Sequence, residues 1–198
     1  MGRTARAKAT ANNGYHYVAT LMGFGDPVQS LFKFGDGERV VEAGHFPHVK
    51  TGTQAEGEFF VVMENGNGFR FAKSSIVETT KAGRKFASVR EGDSVLDVIP
   101  LERKLIYVAH DGGKGLLFKA DEAPLLTGPG SGVRLIKLHE GQKVFGAKNV
   151  DKGDKLTFLF SSGRDETVRV SDMEIGGRAG AGRVYGGPKK KLMGLTHV

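Results

Sequence analysis

Cysteine is absent from the 198-residue chain, so disulfides, thiolate zinc centres and cysteine nucleophiles are excluded. No apolar run approaches the roughly 18 residues that cross a bilayer as a helix. The opening MGRTARAKAT lacks the apolar stretch of a secretory signal, and a soluble, cytoplasmic protein is expected. No 11-residue window carries an i, i+3, i+4, i+7 apolar stripe, so helix content is predicted to be low. Acids are missing from both ends: residues 1–12 hold Arg3, Arg6 and Lys8, and residues 176–198 hold Arg178, Arg183, Lys189, Lys190 and Lys191, with no Asp or Glu in either stretch. Taking those eight from the 29 Lys and Arg leaves 21 against 22 acids, so the net charge of +7 resides at the ends. A near-neutral body with basic ends points to a polyanion met at particular places; the bland alternative is two solvated tails, 1–12 and 188–198.

Glycine, by contrast, is abundant at 30 residues, roughly twice the average usage of about 7%, without a G-X-Y period or high proline. Many tight turns are implied. One pattern occurs three times, a β-rich run that rises to a glycine turn and returns: EFFVVMENGNGFRFA (58–72), KLIYVAHDGGKGLLFKA (104–120) and KLTFLFSSGRDETVRVS (155–171). Each reads as a hairpin, with apolar strands flanking Asn65-Gly66, Asp111-Gly112 and Ser162-Gly163, dipeptides whose glycine tolerates the positive φ of a tight turn. A short acidic or polar link follows each hairpin, then a basic glycine loop: TKAGRKFASV (80–89), TGPGSGVRLIKL (127–138) and GGRAGAGRVYGG (176–187). The first two loops run on into a further strand and turn.

Equivalent positions recur at a period near 50: 46 residues separate Phe59 from Leu105, 51 separate Leu105 from Leu156, and 50 separate Gly130 from Gly180. A period of that length built from strands belongs to blades set around an axis. The expected fold is one all-β, propeller-like domain of about four blades, with a partial blade at 13–55, blades at 56–101 and 102–150, and an incomplete blade at 151–192. The last unit lacks its tail, because KKKLMGLTHV offers one short apolar patch. Pairing the N-terminal strands with that unit would close the ring and remove both exposed edges.

The hairpin, glycine loop and basic strand followed by Glu91-Gly92-Asp93 resemble the blades of the β-pinwheel at the C-terminus of bacterial type IIA topoisomerase A subunits, those of topoisomerase IV more than gyrase. The resemblance spans about 14–187 and is strongest over 56–150. It implies a non-catalytic accessory domain of an ATP-dependent type II topoisomerase. Such a domain binds and bends double-stranded DNA without sequence specificity and presents the transported segment to a catalytic core made of an A-subunit breakage domain and an ATPase subunit, in the cytoplasm at the nucleoid. The QRRGGKG box of the gyrase wheel is in no loop here; Gly112-Gly113-Lys114-Gly115 copies its end at a hairpin turn. Tyr15, Tyr17, Tyr107 and Tyr185 all lack the arginine–tyrosine context of the family's catalytic tyrosine. The chain therefore reads as a C-terminal fragment or a separately made wheel. The alternatives are a gyrase-type wrapping domain and a protein-docking propeller for a partner such as a chromosome-organising protein.

The candidate DNA contacts are the basic residues of the loops and of the strands leaving them: Lys81, Arg84, Lys85 and Arg90, then Arg134 and Lys137, then Arg178 and Arg183, with Lys189, Lys190 and Lys191 as an electrostatic tail. Glycine lets backbone N–H groups approach a phosphate, and Arg and Lys displace its counterions. The competing view is that surface loops are often basic and solvated. No metal, cofactor or catalytic residue is expected. His45 and His48 are spaced H-x-x-H without a third ligand, and Gly128, Gly130 and Gly132 form G-x-G-x-G without the helix that a dinucleotide loop requires.

Overall fold

The computed structural model describes residues 4–7, 57–77, 84–163, 165–185 and 192–197. The strands are β1 (Thr4–Ala7), β2 (Glu58–Met63), β3 (Asn67–Ala72), β4 (Arg84–Ser88), β5 (Val95–Leu101), β6 (Leu105–His110), β7 (Lys114–Lys119), β8 (Leu125–Leu126), β9 (Val133–Arg134), β10 (Val144–Val150), β11 (Lys155–Phe160), β12 (Glu166–Arg169) and β13 (Leu192–His197). Helix among the described residues amounts to α1 (Ser74–Val77) and two single 3-10 turns, Ala120–Glu122 and Val170–Asp172, each standing just after a hairpin.

Three antiparallel hairpins form where the repeat places them: β2 with β3, β6 with β7, and β11 with β12. Each turn is closed by an N–H three residues beyond the strand end, from Gly66 to the Met63 carbonyl, Gly113 to His110 and Gly163 to Phe160, all at 3.0 Å. Those three glycines are left-handed, with φ of 81, 77 and 72°, a region that L side chains avoid. In the middle hairpin the left-handed residue is thus Gly113, not the Gly112 of the expected Asp111-Gly112 pair, because this turn fixes the third position.

A third strand pairs antiparallel with the first strand of each hairpin, giving the orders β5-β2-β3, β10-β6-β7 and β13-β11-β12. The third unit therefore has its outer strand, and Leu192–His197, expected in a basic tail, supplies it. A short apolar patch suffices because β13 needs only to continue the ladder of a strand already buried on one face. Thr4–Ala7, also expected in a tail, pairs antiparallel with β4. The predicted closure through the partial blade 13–55 lies outside the described residues.

Alternation along the central strands stacks the blades. From β2, Phe59, Val61 and Met63 join Phe69, Phe71 and Ala87 in one core, while Phe60 and Val62 face the next blade. Ile106 and Val108 of β6 meet them there, and Leu105, Tyr107 and Ala109, on the opposite face of β6, pack with Leu156 and Phe158 of β11. The middle strand is buried on both faces, as its continuous apolar run requires.

Candidate nucleic-acid interface

The glycine loops leave their own blade and run along its predecessor. Leu125 lies parallel to Arg70 of β3, and Val133 then lies antiparallel to Gly68. One blade on, Ile175 lies parallel to Leu117 of β7 and Arg183 antiparallel to Gly115. Both loop residues have moved by 50 positions and both partners by 47, so the two crossings are one device used twice. The glycines serve that device. A Cβ at Gly132 would land on the Gly68 carbonyl, one at Gly182 on the Gly115 carbonyl, and one at Gly115 on the Tyr107 hydroxyl. Gly132 and Gly182 are also left-handed, with φ of 66 and 71°.

The loops are joined side by side. The Ser88 N–H donates to the Gly130 carbonyl at 2.9 Å, linking the first loop to the second. Between the second and third, the Ala179 N–H donates to Leu135 at 2.7 Å and the Lys137 N–H to Gly180 at 2.9 Å. A strip of adjoining loops results, in which residues 84–90, 127–138 and 176–185 contain seven Lys or Arg and no acid. Arg84, Lys85, Arg134 and Lys137 are exposed along it. Where the cations of such loops outnumber the acids beside them, they make a positive potential that a polyanion can neutralise.

Residues 60–102 and 111–151 match the family described as DNA gyrase C-terminal domain, beta-propeller. Among curated proteins, the DNA gyrase A protein of Aminobacterium colombiense is 25% identical over 182 residues, covering 90% of this chain and 21% of that protein. Among solved structures, the C-terminal domain of DNA topoisomerase IV superposes with a TM-score of 0.73 at 16% identity, covering 88% of this chain and 55% of that one. The E. coli ParC C-terminal domain gives 0.68 at 16%, covering 89% and 72%, and a DNA gyrase A C-terminal domain gives 0.64 at 15%, covering 72% and 50%. The fold is the β-pinwheel of gyrase and topoisomerase IV C-terminal domains. The matches divide between the two enzymes, and the chain spans about a fifth of the length of the curated gyrase protein.

Within this pinwheel the predicted contacts separate. Arg84 and Lys85 lie on β4, and Arg134 and Lys137 on the second loop, at the strip. Arg90 sits where the chain turns toward β5, its carbonyl accepting from the Asp93 N–H at 3.2 Å, outside the loop-to-loop bonds. Arg183 is ion-paired with Glu174, both about 60% exposed, so its charge is partly offset. Arg178 departs furthest from expectation. Its Nε donates to the Glu122 carbonyl at 3.1 Å and its Nη1 to the Arg134 carbonyl at 2.6 Å, while its backbone N–H donates to Glu122 Oε2 at 2.7 Å. The Glu122 carbonyl, at the end of the Ala120–Glu122 3-10 turn and without a partner inside it, is an open acceptor for this guanidinium. Lys81, Lys189, Lys190 and Lys191 lie outside the described residues, as do His45, His48, Tyr15 and Tyr17.

Two structural side chains escaped the sequence reading. Arg70 of β3 pairs with Glu58 at 2.8 Å and donates to the Ala123 carbonyl at 2.8 Å. Asn149 of β10 accepts the Glu102 and Arg103 N–H groups on Oδ1 and donates from Nδ2 to the Arg103 and Leu105 carbonyls, each at 2.8 Å. Neither had a signal, since an Arg within a strand and an Asn near a strand end read as surface. Tyr107 and Tyr185 pack edge to face at 6.0 Å in the core around Phe158, and burial raises both phenol pKa values.

Proposed function

We propose that this chain binds double-stranded DNA without sequence specificity along the strip of glycine loops, bends it, and presents it as the transported segment to the catalytic core of a type II topoisomerase. The observation that carries this reading is the hydrogen-bonded array of loops in which segments 84–90 and 127–138 hold Arg84, Lys85, Arg134 and Lys137 and no Asp or Glu. Phosphates are the ligand such an array suits, because Lys and Arg gain affinity by releasing condensed counterions and carry no direct base code. Bending a 20–30 bp site costs on the order of 1–6 kcal/mol, which several phosphate contacts can offset. Lys81, Lys189, Lys190 and Lys191 stay candidate contacts on the sequence alone. Bond breakage, Mg²⁺ and ATP hydrolysis belong, in this reading, to the breakage domain and ATPase subunit, so the 198-residue chain alone neither cleaves nor relaxes DNA. Absence of the QRRGGKG box favours a topoisomerase IV-like role over gyrase-type wrapping, in the bacterial cytoplasm at the nucleoid.

The test is a salt titration. Replacing Arg84, Lys85, Arg134 and Lys137 by Ala is expected to flatten the log K against log[salt] slope by up to about 3.6, at roughly 0.9 per phosphate contact. The loss is expected to be equal for unrelated duplexes. A folded variant that binds like the parent would move the function to protein docking, for which Leu125, Ile175, Val184 and Met193, exposed among the described residues, offer apolar surface.

A further inference from the structure

The link between the second hairpin and its glycine loop is gripped from two sides. Ala120–Glu122 is a single 3-10 turn whose first carbonyl is taken by the Ala123 N–H at 3.2 Å, and the next three carbonyls would otherwise lack partners within the turn. Arg70, on the preceding blade, donates Nη2 to Asp121 at 3.4 Å and Nε to Ala123 at 2.8 Å. Arg178, on the following loop, donates Nε to the intervening Glu122 carbonyl at 3.1 Å, and with Nη1 reaches on to the Arg134 carbonyl of the second loop at 2.6 Å. The Glu122 carboxylate completes the joint by accepting the Arg178 backbone N–H at 2.7 Å. Three successive carbonyls of one link thus accept from arginines of both neighbouring units.

We infer that Arg70 and Arg178 are positioning residues, which clamp the Asp121–Glu122–Ala123 link and fix the angle between successive loops, and hence the path of a bound duplex, without themselves binding phosphate. Their chemistry suits the task. A guanidinium presents several donors in a rigid plane and satisfies two carbonyls at once, whereas a Lys ammonium is a point charge on a flexible stem. Arg70 is also neutralised by Glu58 at 2.8 Å and its side chain is only 18% exposed. The consequence for DNA rests on the function proposed above; the clamp itself does not.

Arg178→Lys keeps the charge and removes the fork, and Glu122→Ala loosens the joint from its other partner. Because the chain has no cysteine, spin labels can be placed at Thr127→Cys in the second loop and Ala181→Cys in the third. Without DNA, the label-to-label distance distribution is expected to broaden in both variants, with circular dichroism unchanged. With a duplex of about 40 bp, longer than the 20–30 bp of a smooth bend, carrying an energy-transfer pair at its ends, both variants are expected to bend it less than the parent, while the Arg178→Lys salt slope stays parental. A distance distribution as narrow as the parent's in both variants overturns the clamp. So does an unchanged bend together with a slope flattened by about 0.9 in Arg178→Ala, the signature of a lost phosphate contact. Failure of the parent to bind DNA overturns the proposed function, and the label distances still decide the clamp.

Discussion

His110 shows how a single side chain acquires a defined state from its place in the fold. It ends β6, is 2% exposed, and accepts the Gly112 N–H on Nδ1 at 3.0 Å, which requires that nitrogen to be unprotonated. Burial lowers its pKa below the ordinary 6.5, opposed by Asp111 and assisted by Lys114 and His139. The unfolded chain therefore takes up a proton near pH 6.5 that the folded chain refuses, so stability is expected to fall as pH drops below about 6.5, until the lower folded pKa is passed. Met63 and Phe160 occupy the same strand-end position in the other hairpins. His110→Met should remove this part of the pH dependence, as urea unfolding on either side of about pH 6.5 would measure; an equal acid loss in the variant would assign it elsewhere. The glycines teach a related lesson. Their number was legible as turns and as openness to phosphate, but Gly132 and Gly182 are needed so that two backbones can meet, at the Gly68 and Gly115 carbonyls, and no single-chain pattern marks a residue whose constraint lies so far along the chain.

At the scale of elements, the hairpins were readable because their burial follows from their own composition. Phe60 is fully buried between two blades, and Phe60→Ala is expected to cost about 3–5 kcal/mol, a large share of a domain stability of about 5–15 kcal/mol. Leu159, on the less covered face of β11, is only half-buried and should lose well under that when truncated to Ala. Chemical denaturation of the two variants compares them directly, and equal losses would contradict the stacking of blades through β2 and β6. The elements that were not readable are those whose partners create them. β8 is two residues and exists as a ladder on β3, and the strand expected to run on from the second loop is cut to the two residues of β9, also paired with β3. β13 is drawn from a lysine-flanked segment that pairs because β11 offers an edge. Arg178 was legible as a cation but not as a strut, because its acceptors are carbonyls, and carbonyls leave no mark in a sequence.

For the whole molecule, the repeat near 50 residues already contained the blade order and the position of the basic loops, since a loop that follows every blade must recur at every joint. What it could not contain was that the loops hydrogen-bond to one another, through Ser88 and Gly130 and again through Lys137 and Gly180, which turns separate basic turns into one strip. The most direct test of that strip as the DNA surface is amide hydrogen exchange of the full chain with and without the same duplex. A duplex lying on the strip slows exchange in residues 84–88, 130–137 and 178–183 together, and leaves the hairpin turns 64–66, 111–113 and 161–163 unchanged. Protection at the hairpin turns with the loops unchanged would contradict it.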